Sequence, residues 1–89
     1  MLKPNYTKQF SKDLDKIKKS GQKEIEKLKI ILTKLTNQEP LDPKHKDHKL
    51  IGNYKGRREC HIDPDWLLIY LIEDETIIFE RTGTHSELF

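Results

Sequence analysis

The longest uninterrupted run of apolar residues in this sequence covers seven positions, from Trp66 to Ile72. A membrane-spanning helix requires about 20 such residues, so this run is too short to cross a bilayer and no membrane partner is expected. A short apolar run between turn-forming residues is typical of a strand that is covered on both faces. Because the chain has 89 residues, the sequence predicts a single domain, residues 1–89, with this strand in the middle of its sheet.

Further strands are predicted on both sides of this central run. They cover residues 49–53, 57–62 and 76–82, and a short additional strand is expected at residues 2–6. The connections between the later strands are short and contain turn-forming residues, as in Asp63-Pro64-Asp65. Short connections of this kind favour an antiparallel meander.

Two polar segments in the first half of the chain carry narrow apolar stripes at helical spacing. They cover residues 7–20 and 25–36, and Gly21 between them is suited to end the first helix. Residues 37–47 have no periodic pattern and contain two prolines, which predicts an ordered loop. The sequence therefore predicts an α+β fold, in which a two-helix antiparallel hairpin packs on one face of a small, mainly antiparallel sheet of four or five strands. The opposite face is then open for function.

The charge and the cysteine content indicate which kind of binding partner and which cellular compartment to expect. The chain carries 17 lysines and arginines against 15 acidic residues, a formal net charge of +2, and an anionic partner fits such a chain if its charges are segregated on faces. Cys60 is the only cysteine, so no internal disulfide can form. The first residues lack the pattern of a secretory signal, and a cytoplasmic location is expected.

Candidate functional residues fall on one face of the predicted strand 57–62. Side chains alternate along a strand, so Arg57, Glu59 and His61 are expected on the open face, while Cys60 and Ile62 enter the core. A cross-strand salt bridge is the structural alternative for this polar set.

Two further segments can bring acids, aromatic rings and a histidine to the same face. The turn after His61 carries Asp65 and leads into Trp66, which suits either a stacking surface or core packing. His85 follows the last predicted strand, and Phe89 stands at the end of the sequence.

A metal site and a cofactor are not expected. His45 and His48 are ligand-type residues, but Cys60 and His61 are adjacent on a strand and face opposite sides, so they cannot share one tetrahedral ion. Histidines, carboxylates and basic residues on an open face instead suit metal-free RNA cleavage. In that reaction the ribose 2′-hydroxyl is the nucleophile, and one imidazole acts as base while another acts as acid.

Five separated blocks of the sequence resemble the YafQ branch of the RelE/ParE toxin superfamily. The blocks are Leu41-Asp42-Pro43, Asp47-His48-Lys49-Leu50, Arg58-Glu59-Cys60-His61-Ile62, Pro64-Asp65-Trp66-Leu67-Leu68-Ile69-Tyr70 and Arg81-Thr82-Gly83-Thr84-His85-Ser86-Glu87-Leu88-Phe89. The resemblance implies a RelE-like fold and a toxin of a type II toxin–antitoxin system. Such a toxin is an mRNA endonuclease, typically acts in the ribosomal A site, and is held inactive by an antitoxin from the same operon.

The resemblance also implies roles for individual residues. The positions that match functional residues of the family are His48, His61, Asp65, Trp66, His85 and Phe89. His85 is the expected general acid, with either Asp65 or His61 as the base. The residues expected to bind RNA or to orient the site are Lys55, Arg57, Glu59, Trp66, Arg81 and Phe89. His45 matches no functional position and is expected at the surface.

Two non-catalytic functions remain as alternatives. ParE-like members of the same superfamily poison gyrase by protein contact and need no set of histidines. A plain RNA-binding module would use Trp66, Phe89 and the basic residues without depending on His85.

Overall fold

The computed structural model describes residues 1–89, apart from the side chain of Asn53. The elements are β1 (Lys3–Tyr6), α1 (Lys8–Ser20), α2 (Ile25–Thr36), β2 (His48–Lys49), β3 (Arg58–Asp63), β4 (Trp66–Glu73), β5 (Thr76–Gly83) and α3 (His85–Leu88). Two 3-10 turns lie at Pro43–His45 and Gly52–Tyr54. None of the helices in this described part of the chain is long and apolar enough to cross a bilayer.

The strands form one five-stranded sheet in the order β1-β5-β4-β3-β2. β1 pairs with β5 in parallel, and the other neighbours are antiparallel. This arrangement confirms the predicted α+β fold with its mainly antiparallel sheet. The predicted strand 49–53 is wrong in extent, because β2 ends at Lys49. Gly52 has a φ of 76°, a left-handed conformation that turns the chain out of the extended path.

Capping interactions define both ends of α1, the first helix of the hairpin. The Thr7 hydroxyl accepts a hydrogen bond from the Phe10 backbone N–H at 3.0 Å and caps the start of α1. Gly21, with a φ of 65°, ends α1, and its N–H donates to the Ile17 carbonyl. The apolar stripes of α1 and α2 bury against one face of the sheet.

Both faces of β4 are covered, as its apolar run predicts. Trp66, Leu68 and Tyr70 join the core under the helices. Leu67 and Ile69 point to the opposite face and pack with Leu88 of α3, so the second face is only partly open. The apolar run predicted a cover on both faces, but it did not indicate that a short helix, α3, provides the second one. The effect of this small second core is to dock α3, and with it His85, onto the functional face.

Candidate active site

The polar side chains of β3 lie on the face predicted for them. Cys60 and Ile62 are in the core, whereas His61 lies on the other face beside Glu59. Glu59 is only 5% exposed, and its Oε1 lies 3.4 Å from His61 Nε2 and 3.5 Å from His48 Nε2. The register places His48 of β2 directly opposite Glu59. A buried carboxylate is costly unless it has polar partners, and both imidazoles lie within ion-pair distance of Glu59.

Asp65 and His85 form the second half of the cluster. Asp65 Oδ1 accepts a hydrogen bond from the His85 backbone N–H at 2.9 Å and lies 2.7 Å from His85 Nδ1. The pKa of Asp65 is lowered from its ordinary value, chiefly by the backbone hydrogen bond and then by the imidazole contact. Asp65 therefore remains a carboxylate at neutral pH and fixes the orientation of the His85 ring.

The short helix α3 is held by a capping box. The Thr84 hydroxyl accepts from the Glu87 backbone N–H, and the Glu87 carboxylate accepts from the Thr84 backbone N–H at 2.9 Å. Glu87 also pairs with Lys16 of α1 at 2.6 Å. The Lys16 contact and the Thr84 hydrogen bonds lower the pKa of Glu87 to about 2. These contacts tie the start of α3, where His85 stands, to the helical hairpin.

The three imidazoles follow one another across the sheet. The ring centres of His48 and His61 are 6.4 Å apart, and those of His61 and His85 are 5.6 Å apart. The structure thus brings together all the residues predicted as catalytic, namely His48, His61, Asp65 and His85, with Glu59 among them.

Basic and aromatic side chains lie around Tyr54. Phe89 is 63% exposed, and its ring meets the Tyr54 ring edge-on with the ring centres 5.4 Å apart. Lys55 is also exposed. Arg57 pairs with Glu80 at 2.5 Å, so part of its charge is already compensated. Phe89, Lys55 and Arg57 are accessible to an RNA strand that crosses this face.

The Arg81 side chain forms an ion pair with Asp13 inside the protein. Its Nε lies 2.9 Å from Asp13 Oδ2, and the same oxygen accepts from the Thr82 backbone N–H at 3.1 Å. The hydrogen bond to Asp13 raises the pKa of the Arg81 guanidinium. Of the two roles expected for Arg81, orientation of the site agrees with this contact better than phosphate binding does.

The expectation that Trp66 offers a stacking surface is wrong. Its side chain is only 1% exposed, and its Nε1–H donates to the Thr82 hydroxyl at 2.9 Å in the core. The second of the two predicted alternatives, core packing, applies because β4 begins under the helical hairpin. Trp66 can still orient the site, since Thr82 immediately precedes the segment that carries His85.

Sequence reasoning missed four residues that support the site. The Thr84-x-x-Glu87 spacing is a capping-box pattern and could have predicted α3. Asp13 gave no signal, because its partner Arg81 is distant in sequence. His45, expected only at the surface, lies with Nδ1 2.6 Å from the His61 carbonyl oxygen.

The fold and the site together define a class of protein. A two-helix hairpin covers one face of a mainly antiparallel sheet, and histidines and carboxylates cluster on the other, partly open face. This is the arrangement expected of a small RelE-like toxin.

Comparison with known proteins makes the assignment more specific. Residues 2–89 match the family model described as bacterial toxin of type II toxin-antitoxin system, YafQ. The curated mRNA interferase toxin YafQ of Escherichia coli K12 is 47% identical over 85 residues, which cover 94% of this chain and 91% of that protein. The chain therefore belongs to the YafQ family of type II toxins.

Solved structures agree with the family assignment. The E. coli DinJ-YafQ complex contains a chain that is 44% identical, with a TM-score of 0.90 over 100% of this chain and 99% of that one. A copper-bound mutant toxin from Helicobacter pylori is 46% identical, with a TM-score of 0.92 over 100% of both chains. These likenesses confirm both the predicted fold and the predicted family.

Proposed function

We propose that this toxin is an mRNA endoribonuclease in which the ribose 2′-hydroxyl attacks the adjacent phosphate and side chains move the protons. The E. coli relatives are named mRNA interferases, which supports the substrate class. The geometric observation that carries the proposal is the 5.6 Å separation of the His61 and His85 rings. Two imidazoles this close can serve the attacking 2′-oxygen and the leaving 5′-oxygen of one phosphate.

His85 is the general acid in this proposal. Asp65 accepts the hydrogen on Nδ1, so the proton delivered to the leaving 5′-oxygen is carried by Nε2. Because Asp65 also accepts from the His85 backbone N–H, the carboxylate holds the main chain and the ring of the same residue. Asp65 thus acts as an orienting residue, in the way a carboxylate positions the histidine of a hydrolase.

His61 is the general base. Of the two base candidates expected from the sequence, Asp65 already accepts two hydrogen bonds from His85, whereas the His61 side chain is 16% exposed and borders the open face. Glu59 lies between His61 and His48 and can stabilise positive charge on either ring during proton transfer. Lys55, Arg57 and Phe89, which are at least partly exposed, bind the RNA strand.

No step of this mechanism runs through a metal ion. The copper-bound relative raises the question whether the same residues can bind metal here. Among the described residues, no three His, Cys, Asp or Glu side chains converge as ligands.

The partners follow from the family and from the substrate. The E. coli DinJ-YafQ structures are toxin–antitoxin complexes, and we propose that a cognate antitoxin likewise neutralises this toxin. Cleavage of messages in the ribosomal A site is the mode of action that we propose, which requires a cytoplasmic location.

The test is cleavage of a defined message by the purified toxin on translating ribosomes, mapped by primer extension. Wild type is expected to cut at specific sites, and His85→Ala to reduce the rate at least about 100-fold, because a positioned acid contributes on that scale. Ser86→Ala is the matched control, since Ser86 is exposed on the same short helix. A 2′-deoxynucleotide at the cut site is expected to block cleavage, because the 2′-hydroxyl is the attacking group.

Three other outcomes separate the alternatives. Equal cutting of naked RNA contradicts dependence on the ribosome but leaves the nuclease in place. Growth arrest by a protein that cuts no message favours an inhibitor acting by protein contact. RNA binding without cleavage, unchanged in His85→Ala, favours a binding module.

A further inference from the structure

We propose that His45 is a positioning residue for the base His61, an inference that rests on the proposed nuclease function. His45 lies outside the histidine cluster and its ring contacts the main chain of His61 rather than the His61 side chain. The contact is a 2.6 Å hydrogen bond in which His45 Nδ1–H donates to the His61 carbonyl oxygen.

The hydrogen bond replaces a missing strand. β2 pairs with β3 only through His48 opposite Glu59 and Lys49 opposite Arg58. Continued in the same register, β2 would bring Lys46 opposite His61, but Lys46 has a φ of 47° and leaves the strand direction. The outer edge of β3 therefore loses its strand neighbour just where the base stands. The imidazole of His45 supplies the donor that a backbone N–H of β2 would otherwise provide.

The turn that carries His45 is itself well fixed. The Asp42 carboxylate accepts from the Lys44 backbone N–H at 3.0 Å, and the His45 backbone N–H donates to the Asp42 carbonyl at 2.9 Å. The Lys46 carbonyl oxygen lies 2.6 Å from His48 Nδ1. One short turn thus holds His61 through its main chain and His48 through its ring.

The surroundings of His45 favour positioning over a role in core packing. Its half-buried ring lines an open cavity of about 410 Å³ between α2, the Pro43–His45 turn and the end of β3. A ring beside such a space gains little from tight packing, so the hydrogen bond to His61 is its most specific contact. The backbone of β3 at His61 is also where its pairing with β4 becomes irregular, between His61 and Asp63. Without the donor, the base would stand at an irregular and unsupported strand edge.

Two substitutions separate the hydrogen bond from the presence of a side chain. His45→Asn keeps an N–H donor close to the position of Nδ1, whereas His45→Leu has a similar shape and no donor. We expect His45→Leu to lower kcat about tenfold, the equivalent of one well-placed hydrogen bond, with KM for RNA within about twofold of wild type. His45→Asn is expected to recover most of kcat. A merely structural residue would lower the amount of folded protein and leave kcat per folded molecule unchanged.

An NMR measurement gives a readout that does not depend on cleavage. Three-bond couplings are expected to show one His61 side-chain rotamer in wild type and His45→Asn, and averaged rotamers in His45→Leu. Thermal unfolding of each variant identifies any that fail to fold. The inference is overturned if both variants have the same kcat, or if the His61 rotamer is unchanged in His45→Leu. If wild type cuts no RNA, the proposed function fails instead, whatever the rotamer measurement shows.

Discussion

A single oxygen of Asp65 binds both the main chain and the ring of His85, at 2.9 Å from the backbone nitrogen and 2.7 Å from Nδ1. We expect Asp65→Asn to lower kcat about 10- to 100-fold. The neutral amide keeps a weaker contact with His85 but no longer places a negative charge beside the His85 imidazole. KM is expected to change little. The measurement is single-turnover cleavage of a short message on the ribosome.

Asp74→Asn is the matched control for this substitution. Asp74 lies in the exposed turn between β4 and β5 with a φ of 53°, a conformation that asparagine adopts readily. The cleavage activity of the Asp74→Asn variant should equal that of wild type. Equal activity of Asp65→Asn and Asp74→Asn would show that His85 needs no orienting carboxylate.

Trp66 provides a test of core packing against RNA stacking. Trp66→Phe removes the hydrogen bond to the buried Thr82 hydroxyl, and we expect the free energy of unfolding to fall by about 1–3 kcal/mol. The KM for RNA should stay within about twofold of wild type, because the ring is not on the RNA-facing surface. Trp66 is the only tryptophan, so its fluorescence reports directly on RNA contact. Quenching of this fluorescence by bound RNA would contradict the buried position.

The fold was predictable wherever a local pattern determined it. The stripes of α1 and α2, the cap at Gly21 and the run from Trp66 onward are signals within short windows of sequence. The alternation along β3 correctly separated Glu59 and His61 from the core. The length of β2 was not predictable in this way, because it depends on where the chain turns at Lys46 and Gly52 rather than on strand propensity.

The candidate site was predictable in its members and not in its contacts. The resemblance to a known family supplied His48, Asp65 and His85, but no local pattern shows that Arg81 meets Asp13 across the fold. Trp66 illustrates the same limit, since a tryptophan beside a polar turn suits stacking and burial equally well until the packing of the helices is known.

The capping carboxylate of Glu87 predicts a specific loss of stability in acid. Its pKa falls from 4.5 in the unfolded chain to about 2 in the folded one, because Lys16 and the Thr84 groups contact the ionised form. A depressed pKa stabilises the folded state fully above pH 4.5, and that contribution is lost as the pH falls toward 2. We expect Glu87→Gln to melt at a lower temperature than wild type at pH 6. The gap between the two melting temperatures should narrow as the pH falls toward 2. Melting curves recorded from pH 6 to about pH 2 measure this effect.

Glu26→Gln is the control for the acid series. Glu26 pairs with Lys29 on the exposed side of α2, with 80% of its side chain accessible. An exposed pair of this kind contributes little to stability, so its removal should leave the pH dependence of melting unchanged. If Glu87→Gln follows the same curve as Glu26→Gln, the capping box does not hold α3.

The Arg81–Asp13 pair is expected to couple the helical hairpin to the strand that leads to His85. The Asp13 side chain is only 10% exposed and accepts from the Arg81 guanidinium and from the Thr82 backbone N–H. Removing one partner leaves the other half-buried without its counter-charge, so Asp13→Ala and Arg81→Ala should each cost about 1.5–3 kcal/mol. The double variant should cost less than the sum of the two single variants, and urea denaturation of the four proteins measures the difference.

The same pair also gives a kinetic prediction. Because the proposed role of Arg81 is orientation, Asp13→Ala should lower kcat as much as Arg81→Ala does. A strong rise in KM confined to Arg81→Ala would instead assign Arg81 to phosphate binding.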